Sequence, residues 1–199
     1  MKIDNKKIGL MSEPFIIAEM SGNHNKSLDT ALKIVEEAAK SGVHAIKLQT
    51  YKPETITLNV KHGEFLINDE KSLWSGKSLY ELYEEAHTPW EWHKPIMDHA
   101  KNFGLICFSS PFDESAVDFL EKIDVPAYKI ASPEIIHLPL IKKIASTGKP
   151  IIISTGMSTD GEINEALNIA KIEGCKDIVI LKCTSSYPSS PENSDVISI

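Results

Sequence analysis

The chain has 199 residues, of which 42% are hydrophobic and 25% charged, and its formal net charge is −7. That is the composition of an ordinary globular domain, and its acidity argues against nucleic acid or an anionic membrane as the main partner, because each demands a basic surface. All 21 basic residues are Lys, so a bound anion must be met by ammonium groups, hydroxyls and backbone N–H groups rather than by the planar fork of Arg.

Residues 1–13 form a polar lead-in with room for a short hairpin, and they contain no apolar stretch of signal-peptide or membrane-span length. Phe15 to Met20 is the first buried-type strand, with Glu19 at its end. The loop Ser21-Gly22-Asn23-His24-Asn25 leads to a helix over Leu28 to Lys40, capped by Ser27 or Asp29 and stopped at Gly42. Ala45 to Thr50 is the second strand, in which Lys47 and Gln49 share one face because strand side chains alternate. Residues 51–87 break the rhythm with a long insertion carrying Trp74 and the helix-like SLYELYEEA. An insertion of that length in a compact α/β domain is more often functional than idle.

Pro89 opens a helix that runs to Phe103 and stops at Gly104. Leu105 to Ser110 is the third strand, and a helix follows from Asp113 to Ile123. Ala127 to Ser132 is the fourth strand, with Lys129 inside it, where a charge is costly unless something anionic meets it. Leu138 to Thr147 has the apolar spacing of one helical face and ends at Gly148. Pro150 to Thr155 is a continuous apolar run, the pattern of a strand covered on both faces in a parallel sheet. Thr159 to Glu173 is a further helix, Ile178 to Thr184 a sixth strand, and SSYPSSPENSDVISI a loop. Strands alternating with helices predict parallel βαβ units. A (β/α)8 barrel of about 250 residues with two units missing fits this order. A complete doubly wound sheet of six strands fits it too, since periodicity does not separate the two.

Nearly every predicted strand ends in polar residues: Glu19; Lys47 and Gln49; Ser109 and Ser110; Lys129 and Ser132, with Glu134 beyond; Ser154 and Thr155; Thr184 and Ser185, with Tyr187 beyond. The carboxyl ends of parallel strands are where α/β enzymes place their chemistry. In a barrel these residues converge on one mouth, and two lysines with several hydroxyls suit a small ligand bearing phosphate and carboxylate groups. Glu19 and Glu134 are then candidates for proton transfer or for gripping sugar hydroxyls. Taken singly, a strand-end Ser is usually a capping residue and a strand Lys can snorkel to the rim. The recurrence carries the inference. Gly76-Lys77-Ser78 lacks the earlier glycine of a P-loop, having Lys71 in its place. His93 and His99, six apart on a helix, do not share a face as a metal pair would and are expected at the surface. His24 is open between a site role and loop hydrogen bonding. Trp74, Trp90 and Trp92 are expected to pack, and Cys107 and Cys183 to lie in the core.

FIIAEMSGNHN, AIKLQTY, ICFSSPFD, VPAYKIAS, GKPIIISTGM and LKCTSSYP stand in an order and spacing that resemble the sialic acid synthases, the phosphoenolpyruvate-dependent makers of nine-carbon 2-keto sugar acids. The stretches GEFLI and SLWSGKSLYELYEEAHTPWEWH look most like the pseudaminic acid synthase branch. The resemblance implies a (β/α)8 TIM barrel that condenses phosphoenolpyruvate with an open-chain acetamido-sugar, 2,4-diacetamido-2,4,6-trideoxy-L-altropyranose, with a divalent metal, Mn2+ or Mg2+, polarising the aldehyde. Carried over by position, Lys47, Ser110, Lys129, Ser132, Ser154 and Ser185 would bind phosphoenolpyruvate. Gln49 joins the substrate-binding set, Glu19 and Tyr187 would face the sugar, and Glu134 would handle protons. The family usually has Thr in place of Ser110 and Asn in place of Ser185.

The same resemblance puts the metal-binding histidines in a seventh and an eighth strand, beyond Ile199. An antifreeze-like domain then follows, contributing an Arg to the partner's site in a swapped homodimer. The expectation is therefore that residues 1–199 are the N-terminal part of a synthase, truncated to about six β/α units and inactive alone. The competing expectations are an N-acetylneuraminate or legionaminic acid synthase, and an inactive anion-binding fragment. Three cysteines without CxxC spacing fit a reducing cytoplasm.

Overall fold

The structure is a computed structural model that describes residues 1–70, 72–186, 189–195 and 197. It divides into two compact units, one of Phe15–Phe119 and one of Met1–Pro14 with Leu120–Ile199. The lead-in is a small antiparallel hairpin, β1 (Lys2–Ile3) with β2 (Lys6–Lys7), turned at Asp4.

From Phe15 the chain follows β3 (Ile17–Glu19), α1 (Leu28–Lys40), β4 (Ala45–Thr50), α2 (Pro53–Ile56), α3 (Leu79–Ala86), α4 (Trp90–Asn102), β5 (Ile106–Pro111) and α5 (Glu114–Lys122), within which the division between the units falls. β3 pairs with β4 and β4 with β5, all parallel. The second unit continues with β6 (Tyr128–Ile130), α6 (Leu138–Ala145), β7 (Ile151–Ser154), α7 (Asp160–Ile172) and β8 (Ile178–Leu181), again with parallel pairing of β6 to β7 and β7 to β8. The predicted elements are found, with most strands trimmed at their ends. The long insertion contributes α2 and α3, and α3 starts with a capping box between Ser78 and Glu81.

Local chemistry explains the helices. Ser27 Oγ accepts the Thr30 N–H at 3.2 Å to start α1, and Ala31, Val35 and Ala38 form its buried stripe. That stripe joins Ile46 and Leu48 of β4 and Ile96 and Ala100 of α4 in one apolar cluster. α6 ends at Ala145, and the chain leaves it through Gly148, whose φ of +72° suits a residue without Cβ. β7 is buried along its whole length, as its unbroken apolar run predicted.

Alternation along β4 and β5 sorts the polar residues onto two faces. Ile46, Leu48 and Thr50 share the face packed under the helices, and Ser109, aligned with Leu48, joins them. Thr50 Oγ1 lies 2.6 Å from Ser109 Oγ and 2.8 Å from His93 Nε2 of α4. His93 Nδ1 lies 3.3 Å from the Pro89 carbonyl, which fixes that nitrogen as the protonated one and Nε2 as the acceptor. His93 is therefore fully buried, not a surface residue as the helical spacing suggested. His99 is partly buried, 3.1 Å from Glu36. Burial pushes the His93 pKa from the usual 6.5 down to about 4.

Between those two values the unfolded chain binds a proton that the folded chain refuses. Stability from this group is therefore fully present above pH 6.5 and is lost as the pH falls through about 4, by on the order of 3 kcal/mol in all. In urea unfolding at pH 7 and pH 4, His93→Gln is expected to lose less stability than the wild type by roughly that amount. Equal losses would show that the imidazole ionises inside the fold.

Candidate functional site

The other face of β4 carries Lys47 and Gln49. Glu19 is aligned with Lys47, and Gln49 with Ser110, so Glu19, Lys47, Gln49 and Ser110 share that face at the carboxyl ends of β3, β4 and β5. The Lys47 ammonium lies 2.8 Å from the Glu19 carboxylate and donates to Ser110 Oγ at 3.3 Å. Lys47 and Ser110 are buried, whereas 53% of the Glu19 side chain is exposed. A buried cation held by a solvated carboxylate is an exchangeable arrangement, because an incoming anion can replace that carboxylate without leaving a charge unpaired.

The second unit repeats the device. Tyr128 Oη donates to Glu121 at 2.6 Å on the helix side of β6, so alternation turns Lys129 to the opposite face. Its ammonium donates to the Ile130 carbonyl at 3.0 Å and to Ser154 Oγ at the end of β7. Past β6 the chain bends into a 3-10 turn over Pro133–Ile136, which brings Ser132 Oγ to accept the Gly156 N–H at 3.1 Å. A Cβ on Gly156 would lie 2.0 Å from Ser185 Oγ and 3.0 Å from Ser132 Oγ. Glycine thus leaves room for the Ser185 hydroxyl beside a backbone N–H that Ser132 holds. Glu134 Oε2 is buried without a hydrogen-bond partner among the described residues. Burial raises the Glu134 pKa, while its own backbone N–H and the Lys129 charge pull it down.

The remaining sequence expectations resolve as follows. His24 is buried, with Nε2 3.1 Å from Thr88 Oγ1 and Nδ1 accepting the Lys26 N–H at 3.2 Å, so one ring nitrogen serves its own loop and the other ties that loop to the segment before α4. Burial and the nearby His87 charge lower its pKa. Trp90 stacks on Phe119 and Trp92 meets His24 edge-on, but Trp74 is 47% exposed and does not pack as expected. Cys107 is in the core, its thiol pushed up to about 12 by burial. Cys183 is not: it lies two residues past β8, half-buried, with Sγ 3.1 Å from Ser154 Oγ. Tyr187 falls outside the described residues. Among the described residues no group of three or more His, Cys, Asp or Glu side chains is placed to hold a metal ion, so they do not make a metal site. No helix among them is long and apolar enough to cross a membrane.

Parallel β/α units whose strand ends present lysine and serine side chains define an α/β protein with polar groups gathered at the carboxyl ends of its strands. Residues 34–199 match the NeuB family, and the chain belongs to that family. It is 48% identical over 179 residues to the pseudaminic acid synthase of Campylobacter jejuni, an alignment covering 90% of this chain and 52% of that protein. Identity to the N,N'-diacetyllegionaminic acid synthase of the same organism is 37% over 182 residues, covering 90% and 54%. Among solved structures, the N-acetylneuraminic acid (sialic acid) synthetase of Leptospira borgpetersenii, in complex with citrate, matches with a TM-score of 0.85 at 30% identity, covering 100% of this chain and 64% of that chain. The chain spans about half the length of the curated relatives it matches. The likeness assigns the fold to the TIM-barrel type, as a truncated barrel, rather than to the doubly wound alternative.

The Lys129 charge opposes the upward shift of Glu134, so Lys129→Met is expected to raise the Glu134 titration midpoint further. Carboxyl 13C NMR on the two proteins reads this directly. An unmoved or lowered midpoint would show that the two groups are not electrostatically coupled.

Proposed function

We propose that this protein is the N-terminal part of a pseudaminic acid synthase, an enzyme that joins phosphoenolpyruvate to 2,4-diacetamido-2,4,6-trideoxy-L-altropyranose and releases phosphate. The observation that carries the reading is the pair of buried lysines, Lys47 and Lys129, each bonded to a strand-end serine. Ammonium groups and oriented hydroxyls stabilise exactly two things in such a reaction: the carboxylate and phosphate of the three-carbon acid, and the negative charge that grows on the departing phosphate. Lys129, Ser132, Ser154 and Ser185 supply one set of these donors, and Lys47 and Ser110 another. Glu19 and Tyr187 are assigned to the sugar, and Gln49 to substrate binding.

The balanced steps are these. The methylene carbon of phosphoenolpyruvate attacks the aldehyde carbon of the open-chain sugar, and the aldehyde oxygen takes up a proton. Water adds to the cationic C2, and the tetrahedral adduct expels phosphate by C–O cleavage to leave the 2-keto acid. Glu134 is the group assigned to moving these protons, because a buried carboxyl with a raised pKa holds and releases a proton nearer neutrality. A divalent metal belongs to the proposal through the family resemblance alone, as do the homodimer and the cytoplasmic location. The steps given to this chain's residues do not involve the metal.

The higher identity to the pseudaminic than to the legionaminic acid synthase favours the trideoxy-altrose substrate over the competing sugars. The test is phosphate release from phosphoenolpyruvate with manganese, comparing that sugar with N-acetylmannosamine, on the 199-residue chain and on its fusion to the C-terminal half of a family member. Turnover in the fusion, selective for the trideoxy sugar, is the expected result. No phosphate release with either sugar would remove the proposal. In the active form, Lys129→Met is expected to lower kcat/KM at least ~100-fold, and Gly156→Ala ~100-fold through displacement of Ser185 and Ser132.

A further inference from the structure

Apolar run length alone places Cys183 in the core of a strand, but the structure places it past the end of β8, beside the serine that a buried lysine holds. Lys129 is aligned with Ile152, and Ile152 with Val179. Two residues further along β7 is Ser154, so alternation turns it to the Lys129 face, and the chain past the end of β8 brings Cys183 to it. The side chains meet there. Cys183 Sγ lies 3.1 Å from Ser154 Oγ, and the Lys129 ammonium donates to that same oxygen. Ser154 is 5% exposed and Lys129 7%.

A serine hydroxyl has one hydrogen and two lone pairs, and an ammonium has no lone pair. Lys129 must therefore donate to Ser154, filling one lone pair. The single thiol hydrogen of Cys183 has two acceptors in reach, Ser154 Oγ at 3.1 Å and the Leu181 carbonyl at 3.6 Å, and the nearer one takes it. With both lone pairs occupied, Ser154 can only turn its own hydrogen outward. We propose that Cys183 is a positioning residue that donates its thiol hydrogen to Ser154 and so fixes Ser154 as a donor to an oxyanion of the bound three-carbon acid. The ligand in that statement rests on the proposed function; the hydrogen-bond order around Ser154 does not.

A thiol that only filled space would make Cys183→Ser and Cys183→Ala equally harmful, since both remove the sulfur. A donating thiol makes them unequal, because serine keeps a hydrogen to give and alanine leaves a lone pair of Ser154 open, free to turn its hydroxyl inward. The measurement is the phosphoenolpyruvate dissociation constant of the protein by titration calorimetry. Cys183→Ala is expected to weaken binding about 10-fold, Cys183→Ser less than about 3-fold, and Cys183→Ala less than about 2-fold further when Ser154→Ala is already present. Equal weakening by the two cysteine variants, no weakening by Cys183→Ala, or full additivity with Ser154→Ala would overturn the proposal.

If the wild-type protein binds no phosphoenolpyruvate, the proposed function fails instead. The positioning role is then read from acetic anhydride labelling of Lys129 relative to the exposed Lys101. Labelling of Lys129 at least about 3-fold faster in Cys183→Ala, restored in Cys183→Ser, supports it, because a Ser154 hydroxyl no longer held by the thiol is free to rotate away from the Lys129 ammonium. An unchanged rate overturns it.

Discussion

Two ammonium groups, Lys47 and Lys129, lie buried on parallel strands, and much of the surrounding structure follows from what that burial demands. A lysine head removed from water costs several kcal/mol unless charges or oriented dipoles replace its hydration. Lys47 meets the demand with a carboxylate and a hydroxyl, and Lys129 with a carbonyl and a hydroxyl. These are different solutions. Glu19 is more than half exposed and easily displaced from Lys47, whereas Ser154 is buried in a strand held on both sides by parallel neighbours.

Supporting each lysine is a second row of polar contacts, and both rows obey the two-residue period of a strand. On the far face of β4 and β5, Thr50, Ser109 and His93 satisfy one another in a dry contact that ties two strands to α4. A neutral imidazole suits that place because Pro89 accepts from one nitrogen and Thr50 donates to the other. Around Ser154 the arrangement runs through Cys183, and at the Gly156 N–H through Ser132. In each case a hydroxyl is oriented by its neighbours before any ligand arrives. Preorganised donors of this kind spare a reaction the cost of reorienting dipoles as charge moves.

The kinship with the NeuB family and the likeness to a sialic acid synthetase give these local devices a common setting without being needed to explain them. Lys129 is held by Ser154 because of β6–β7 register, and Gly156 is glycine because the Ser185 hydroxyl occupies the space of its Cβ, with that of Ser132 close by. A relative with a bulkier residue at position 156 would have to place both hydroxyls elsewhere.

Much of this was legible in the sequence. Apolar spacing located α1 and α6, an unbroken apolar run located β7, Pro89 marked the start of α4, and glycines marked where the helices stop. Alternation within one strand put Lys47 and Gln49 on a single face, and strand-end position singled out Glu19, Ser110, Lys129, Ser132, Ser154 and Ser185. His93 and Cys183 were misjudged for one reason. The side-chain period of a strand or helix is a local property, encoded residue by residue, but the alignment of one strand against the next is set by how whole β/α units pack. Only that alignment brings Ser109 and Thr50 under His93, or carries Cys183 past the end of β8 to the oxygen that Lys129 holds. The sequence by itself determined which residues could face a ligand; tertiary packing decided which of them touch, because hydrogen bonds between distant segments depend on a register that no single segment contains.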